Sequence, residues 1–161
     1  MLINFKEYHI RPADNNDVDI IKQIVFSCLH EFGLKEDEAG KDNDLLDIEK
    51  NYFADNGYFG MVELTESKTP VGTFGIHRID DYTCELRKMY LIKEHRGKGL
   101  GEFMLRIAID IAKELGFKRI ALETISPLTA AIALYKKYGF TEIKPKEINS
   151  RVDQAFVLTI G

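Results

Sequence analysis

Tryptophan is absent from this sequence, and its 161 residues include only two cysteines and four prolines. Cys28 and Cys84 are too few for the disulfide framework that stabilises small secreted domains. No apolar run reaches the roughly 18 residues that a transmembrane helix needs. Residues 1–11 also lack the apolar run of a signal peptide. These absences predict a soluble, cytoplasmic protein.

An excess of positive charge is missing as well. The chain has 22 Lys and Arg residues against 26 Asp and Glu residues, a formal net charge of −4. Because non-specific nucleic-acid binding draws most of its affinity from basic surface, we expect no nucleic-acid partner. The composition, 45% hydrophobic and 30% charged, is typical of a globular protein that is neither disordered nor embedded in a membrane. The length and the lack of repeats and linkers predict a single domain over residues 1–161.

The spacing of apolar residues alternates between the two-residue period of strands and the 3.6-residue period of helices. The most amphipathic helix is predicted from Leu100 to Leu115, with Gly116 as its cap. We predict an α/β fold with a mixed, mostly antiparallel sheet flanked by helices, in which Cys84 to Glu123 forms a crossover between parallel strands. The predicted strands are 8–11, 58–64, 71–79, 84–92, 118–123, 140–143 and 154–160, and the other helices are 15–32, 45–53 and 130–138.

The most informative segment is the glycine-rich stretch RGKGLG at residues 96–101, between a predicted strand and the amphipathic helix. Its glycines let the backbone turn tightly and approach a ligand without Cβ clashes. The first amides of a helix lack partners inside the helix, and the helix dipole makes that end electropositive. The segment therefore predicts a phosphate-binding loop, to which Arg96 and Lys98 add positive charge.

Two other phosphate-binding motifs fit less well. A P-loop needs Gly-x-x-x-x-Gly-Lys-Ser/Thr, a spacing that the sequence lacks. A dinucleotide-binding fingerprint could use Gly97, Gly99 and the acidic Glu123, but Glu102 occupies its third glycine position. Too few residues follow Glu123 to complete such a domain. A nucleotide-binding oxidoreductase is therefore the weaker alternative.

The segment from Cys84 to Gly101 resembles the strand-and-loop motif of the GCN5-related N-acetyltransferase (GNAT) family. The family pattern Arg/Gln-x-x-Gly-x-Gly/Ala is matched by Arg96, Gly99 and Gly101. Residues 131–140, AIALYKKYGF, are similar to the family's Ala-x-x-Leu-Tyr-x-x-x-Gly-Phe. Two motifs in the right order make the resemblance specific, and it covers nearly the whole chain.

The resemblance implies a GNAT-like acyltransferase fold and an enzyme that transfers acetyl from acetyl-coenzyme A (acetyl-CoA), its co-substrate, directly to an amine. The strand at Met89, Tyr90 and Leu91 would pair with the pantetheine arm. The coenzyme A pyrophosphate would be held by the amides of the loop, which are those of Arg96, Gly97, Lys98, Gly99, Leu100 and Gly101.

The resemblance also implies two catalytic residues. Tyr135 matches the family tyrosine that lies near the thioester sulfur, where it would bind the cofactor and act on the departing thiolate. Glu85 matches the general base of some members. Family members often carry Asn where this chain has Leu128, and this departure would remove a side-chain contact to pantetheine.

Several alternatives stay open at the level of sequence. Glu123, or a base that acts through water, competes with Glu85 as the proton acceptor. A non-catalytic acyl-CoA-binding or sensor module is the alternative to an enzyme, and both a monomer and a homodimer are compatible with the sequence. The four histidines show no metal-ligand spacing, so we expect no metal site.

The position of the acceptor pocket is predicted from an acidic segment. Residues 34–56 precede the hairpin on which family members build acceptor sites, and with the 144–153 connection they are expected to shape the pocket. The negative charge of this segment favours a basic or polyamine-like acceptor. Alternatively, the acidic residues simply form a solvated surface. The acidic residues considered are Glu36, Asp37, Glu38, Asp42, Asp44, Asp47 and Glu49.

Overall fold

An eight-stranded sheet organises residues 2–161, the part of the chain that the computed structural model describes. Its strands are β1 (Ile3–Phe5), β2 (Tyr8–Pro12), β3 (Tyr58–Leu64), β4 (Pro70–Arg78), β5 (Thr83–Leu91), β6 (Arg119–Thr124), β7 (Thr141–Ile143) and β8 (Gln154–Thr159). They lie in the order β1-β2-β3-β4-β5-β6-β8-β7. All neighbours are antiparallel except β5 and β6. The prediction of a mixed, mostly antiparallel sheet is confirmed.

Four α-helices accompany the sheet: α1 (Val18–Glu31), α2 (Ile48–Asn51), α3 (Leu100–Glu114) and α4 (Thr129–Lys137). Local sequence explains their limits. The side chain of Asp14 caps the turn before α1 by accepting a hydrogen bond from the Asn16 amide at 2.8 Å. Gly116 ends α3 in the left-handed conformation, with φ +92°. None of these helices is both long and apolar enough to cross a bilayer.

Both faces of the sheet are covered by helices. The apolar stripe of α3 packs on one face, where Met104 and Phe74 belong to the same buried cluster. On the other face, Val25 of α1 is buried together with Tyr52 and Phe59. Each such side chain contributes about 1.5–3 kcal/mol on burial. The sheet is therefore held between two apolar layers, and β5 and β6 lie near its middle.

The segment between α1 and β3 departs from the prediction of a helix over 45–53. It contains a 3₁₀ turn at Asn43–Leu46, the single helical turn α2 and a second 3₁₀ turn at Phe53–Asp55. Asp47 interrupts the segment because its backbone is extended and its side chain caps α2, accepting from the Lys50 amide at 3.0 Å. The short edge strand β1 is also absent from the sequence prediction.

Strand β5 is irregular at Lys88. Its register with β4 shifts there, so that Lys88 and Met89 together lie opposite Phe74. Lys88 adopts φ +53°, a left-handed conformation that costs a residue with a Cβ about 1–2 kcal/mol. The hydroxyl of Thr73 donates to the Lys88 carbonyl at 2.7 Å and helps to hold this bulge. The bulge changes the direction of β5 just where the strand leaves its parallel neighbour.

Candidate active site

The parallel strands β5 and β6 separate after a short contact. Only three residue pairs join them, the last being Glu85 with Ala121. Beyond this pair, β5 runs on to Leu91 and β6 to Thr124 without a ladder between them. A cavity of about 100 Å³ lies in the gap, and we call it the cleft. Met89 and Tyr90 line it, so the predicted pantetheine strand has a free edge on which an extended ligand could pair.

The glycine-rich loop lies between β5 and α3. Gly97 and Gly99 have φ values of +76° and +82°, which residues with a Cβ rarely adopt. The first backbone bond of α3 runs from the Phe103 amide to the Gly99 carbonyl at 3.1 Å, so the three preceding amides have no acceptor inside the helix. A Cβ at Gly97 would meet nothing within 4 Å. The loop thus offers free amides and open space, as a phosphate site requires.

The side chain of Arg96 is bound to α1 and does not serve this loop. Its terminal nitrogens donate to Glu31 at 2.6 and 3.0 Å, and its Nε donates to the Leu91 carbonyl at 2.8 Å. The prediction that this side chain adds charge to the phosphate site is therefore corrected. Lys98 is exposed, and Lys6, which has no signal in the sequence, donates to the Lys98 carbonyl at 3.2 Å. These two lysines supply the positive charge at the loop.

Tyr135 of α4 lines the cleft, as its match to the family motif implies. Its side chain is buried, and its ring centroid lies 5.7 Å from that of Phe140 and 6.2 Å from that of Phe156. Burial, together with nearby Tyr90, raises the pKa of Tyr135 to about 12. The hydroxyl therefore stays protonated at neutral pH and is able to donate a hydrogen bond.

A larger cavity of about 450 Å³ adjoins the cleft, and we call it the polar cavity. Its volume lies within the usual range for small-molecule sites. Several residues line both cavities, so a ligand in the polar cavity would lie next to one in the cleft. The shared residues are Leu86, Arg87, Lys88, Tyr90, Glu123 and Arg151, and the polar cavity adds Gly40, Lys41, Asn43, Asp44, Asn51, His77, Glu85 and Val152.

Glu85 and Glu123 lie on the same face of the sheet, since Glu85 pairs with Ala121, two residues before Glu123. Glu85 accepts a hydrogen bond from the Nε of Arg87, with which it forms an ion pair. Glu123 has no ion-pair partner within residues 2–161. Partial desolvation of its carboxyl and the charge of Glu85 raise the pKa of Glu123, although the residue as a whole is exposed. The structure thus brings together the predicted base and its rival, and only the rival is both unpaired and shifted towards neutral pH.

His77 is a further cavity residue, to which the sequence assigned no role. It lies opposite Glu85 in the register of β4 and β5, and its ring meets Tyr52 edge to face at 5.7 Å. Burial and the charge of Arg87 lower the pKa of His77, so the imidazole is neutral at pH 7. Its Nδ1 is buried without a hydrogen-bond partner in the described part of the chain. Only the pairing of the strands reveals its position at the site.

Both cysteines are buried and poorly suited to act as nucleophiles. Cys84 is fully buried, which raises the pKa of its thiol to about 12. Burial also raises the pKa of Cys28. Because the thiolate is the reactive form, neither side chain is activated at neutral pH. Among residues 2–161, no cluster of three or more His, Cys, Asp or Glu side chains is placed to bind a metal ion.

The acidic segment contributes to the wall of the polar cavity, but its carboxylates are already engaged. Only Asp44 of the seven lines the cavity, and it accepts a hydrogen bond from Tyr52 and pairs with Lys88 at 3.2 Å. The expectation that this segment supplies negative charge to the pocket is therefore corrected. The other six pair with Arg151 (Asp42), His30 (Glu36) and Lys22 (Glu38), or accept from the amides of Lys41 (Asp37), Lys50 (Asp47) and Asn15 (Glu49).

Comparison with known sequences identifies a family. The chain matches the model of the acetyltransferase (GNAT) family over residues 24–140. It is 35% identical over 139 residues to YjgM, an uncharacterized N-acetyltransferase of Escherichia coli, with 83% of this chain and 82% of the relative covered. An uncharacterized N-acetyltransferase of Schizosaccharomyces pombe is 29% identical over 130 residues, with 80% and 79% covered.

Solved structures share the fold. An acetyltransferase of the GNAT family from Staphylococcus aureus Mu50 superposes with a TM-score of 0.85 at 26% identity, over 94% of this chain and 98% of that one. The putative acetyltransferase yncA of Salmonella typhimurium, solved with its cofactor acetyl-CoA, gives a TM-score of 0.74 at 23% identity, over 95% and 94%. With the cleft, the glycine-rich loop and the family match all in agreement, this chain belongs to the GNAT family of acetyltransferases, which use acetyl-CoA as their co-substrate.

Proposed function

We propose that this acetyltransferase moves the acetyl group of acetyl-CoA directly to an amine nitrogen in the polar cavity. The separation of β5 and β6 beside the glycine-rich loop carries the proposal. It leaves a strand edge at Met89, Tyr90 and Leu91 for the pantetheine arm, next to the amides of residues 97–101 for the pyrophosphate. The predicted contribution of the Arg96 amide is corrected, because this amide donates to the Lys93 carbonyl at 3.2 Å. The polar cavity adjoins this path, so an amine and a thioester would meet at the shared wall.

The amine must lose a proton before it is a nucleophile. A lysine-like amine has a pKa of about 10.4, so almost none of it is neutral at pH 7. Of the two glutamates that line the polar cavity, we assign the proton acceptor to Glu123, because its pKa is raised and it has no ion-pair partner among residues 2–161. Glu85 holds Arg87 and raises the basicity of Glu123 through its charge. Glu85 thus has a positioning role in this proposal.

The departing thiolate is the second requirement. A coenzyme A thiol resembles free cysteine, with a pKa of about 8.5. Because the pKa of Tyr135 is about 12, complete proton transfer to the thiolate would be uphill. Tyr135 would instead stabilise the departing sulfur by donating a hydrogen bond, while the final proton comes from solvent or from the protonated base.

The bonds and protons then balance without an acyl-enzyme. The amine nitrogen attacks the thioester carbon, a carbon–nitrogen bond forms, and the carbon–sulfur bond breaks as coenzyme A leaves. An ammonium acceptor first loses one proton through Glu123 to solvent. The second proton, lost by the nitrogen as the amide forms, passes to Glu123 and balances the departing thiolate. A strand amide near the bulge of β5 would donate to the oxyanion of the tetrahedral intermediate. The burial of Cys28 and Cys84 supports this direct route over a thioester on the protein.

Release of free coenzyme A tests the proposal. The purified protein is incubated with acetyl-CoA and a panel of amino acids, polyamines, aminoglycosides and peptides with free amines. We expect acceptor-dependent thiol release, with the acetylated amine identified by mass spectrometry. Release without an acceptor, or acetyl found on Cys28 or Cys84 during turnover, would contradict direct transfer.

A further inference from the structure

The arginine and lysine side chains held in ion pairs at the polar cavity differ in whether all their hydrogen-bond donors are engaged. Lys88 lies between Asp42 and Asp44, at 3.3 and 3.2 Å, and donates to the Lys41 carbonyl at 3.1 Å. Arg151 donates to both oxygens of Asp42, at 2.8 and 2.7 Å. These two side chains hold the wall together, so their hydrogen-bonding groups are not available to a ligand.

Arg87 is different. Its Nε donates to Glu85, but within residues 2–161 no oxygen accepts a hydrogen bond from its two terminal nitrogens. Its side chain is 31% exposed and lines both cavities. A guanidinium group with two free terminal nitrogens presents the planar edge that binds a carboxylate through two parallel hydrogen bonds.

The free edge of Arg87 has a counterpart in the unpaired carboxylate of Glu123. Both residues line both cavities. Arg87 is close enough to Glu123 for its charge, with those of Lys41 and Lys146, to oppose the rise in the pKa of the Glu123 carboxyl. The cavity thus offers two terminal guanidinium nitrogens without an acceptor, and a carboxylate without an ion-pair partner among residues 2–161. A ligand that complements both carries an amine and a carboxylate.

We propose that the acceptor is a small amine that also bears a carboxylate, as amino acids do, with its carboxylate on the terminal nitrogens of Arg87 and its amine at Glu123. This inference rests on the proposed amine acetylation. It replaces the polyamine-like acceptor that the acidic segment suggested from sequence, because those acidic side chains are bound within the protein.

Matched acceptor trios test the inference. Each trio contains an amino acid, its primary amide and its decarboxylated amine, for example phenylalanine, phenylalaninamide and phenethylamine, or lysine, lysinamide and cadaverine. We expect kcat/KM for the best carboxylate-bearing acceptor to exceed that of both its partners by about 10- to 100-fold, the usual worth of a charged hydrogen-bonded pair.

Variants of Arg87 assign the preference to this side chain. Arg87→Gln is expected to reduce the ratio within a trio to about one through a higher KM, and Arg87→Lys to restore part of it. An unchanged affinity for acetyl-CoA, measured by calorimetry, would show that the variants remain folded. Arg78→Gln is the matched control, because Arg78 pairs with the exposed Asp55 at 2.9 Å and lines neither cavity. Its trio ratios should equal those of the unaltered protein.

The outcomes separate this inference from the proposed function. Equal or faster turnover of carboxylate-free amines, or an unchanged ratio in Arg87→Gln, overturns the inference and leaves amine acetylation standing. If acetyl-CoA binds but no small carboxylate-bearing amine turns over while protein amines do, the inference is likewise overturned. If no amine of any class turns over, the proposed function fails and the inference fails with it.

Discussion

Replacing Tyr135 with phenylalanine removes the hydroxyl group and leaves the ring in its place beside Phe140 and Phe156. If this hydroxyl stabilises the departing thiolate by a hydrogen bond, kcat should fall by about 10²- to 10³-fold, the usual effect of removing one donor to a developing charge. The affinity for acetyl-CoA and the free energy of unfolding should change little, because no cavity is created. Single-turnover kinetics, calorimetry and urea unfolding measure the three quantities.

Tyr138→Phe is the internal control for this prediction. The Tyr138 hydroxyl donates to Glu102 at 2.7 Å, and its side chain lines neither cavity. The variant should retain full turnover. Unchanged turnover in Tyr135→Phe, with chemistry shown to be rate-limiting, would mean that water or another group stabilises the thiolate and that Tyr135 only forms part of the wall.

Glu123→Gln should change activity and stability in opposite directions. Turnover should fall by about 10²- to 10⁴-fold with the loss of the base. Because the pKa of Glu123 is raised in the folded protein, its ionised form opposes folding. The carboxyl is neutral in both states below the unfolded value of about 4.3, and the unfavourable contribution appears as the pH rises through the folded value.

Urea unfolding at several pH values measures this second effect. The variant should be more stable than the unaltered protein at pH 7, and the difference should vanish at acid pH. Glu85→Gln is the comparison, since it removes the ion-pair partner of Arg87 and should bring no such gain. If Glu123→Gln keeps full activity, Glu123 is not the base, and Glu85 or water accepts the proton.

At the residue scale, motif spacing located the candidates that lie within short motifs. Tyr135 and Glu85 follow from their matches to positions of the family motifs, and Glu123 is the rival base at the end of the next strand. Arg87 carries no comparable signal, because a charged residue in a strand usually faces solvent. The engagement of Arg151 by Asp42 joins residues 109 positions apart, and no local pattern reports a contact of that kind.

At the scale of single elements, the glycine-rich loop before α3 can be tested as the phosphate site. Gly99→Asp places a Cβ and a negative charge beside the free amides of the helix and should weaken acetyl-CoA binding at least tenfold (roughly 1.4 kcal/mol). The residue has φ +82°, so strain in the loop is part of the expected effect. Isothermal calorimetry on the folded variant measures the affinity.

Gly116→Asp separates strain from the loss of the phosphate site. Gly116 has φ +92° and open space around it, but it lies at the opposite end of the same helix. This variant should lose stability to a similar backbone strain and still bind acetyl-CoA with unchanged affinity. If Gly99→Asp binds acetyl-CoA as tightly as the unaltered protein does, the glycine-rich loop is only a tight turn and not a phosphate site.

Elements with a strong periodic pattern were predictable and weak ones were not. The long stripe of α3 and the hairpin of β3 and β4 agree with their predicted limits within a few residues. Strand β1 has only three residues, too few for their alternation to predict a strand. The bulge at Lys88 was not predictable, because its positive φ occurs at a lysine and not at a glycine or asparagine. Tertiary contacts, such as the hydrogen bond from Thr73, hold this conformation in place.

At the scale of the whole molecule, Asp42 ties three distant segments together. Its fully buried side chain accepts two hydrogen bonds from Arg151, one from the Asp37 amide at 2.7 Å, and lies 3.3 Å from Lys88. Asp42→Asn would leave Arg151 without a counter-charge and Lys88 with Asp44 alone, and should cost about 3–5 kcal/mol of unfolding free energy. Asp55→Asn, which breaks an exposed pair with Arg78, should cost at most about 1 kcal/mol.

The pH dependence gives this prediction a second measurement. Arg151 and the Asp37 amide hold the pKa of Asp42 below its usual value. Its stabilisation is therefore complete above the unfolded value of about 3.9 and is lost as the pH falls through the folded one. The stability gap between Asp42→Asn and the unaltered protein should be constant near neutrality and close in acid. A gap that persists at low pH would point to packing instead of charge.

The short contact between β5 and β6 also has a mechanical consequence. A sheet whose halves share three residue pairs is divided by a seam, and its easiest opening lies along that seam. A ligand that pairs with β5 and contacts β6 would connect the two halves of the sheet, because it supplies interactions that the two strands do not make with each other. Substrate binding would then merge two loosely coupled folding units into one, and the loss of coenzyme A after each turnover would release them again.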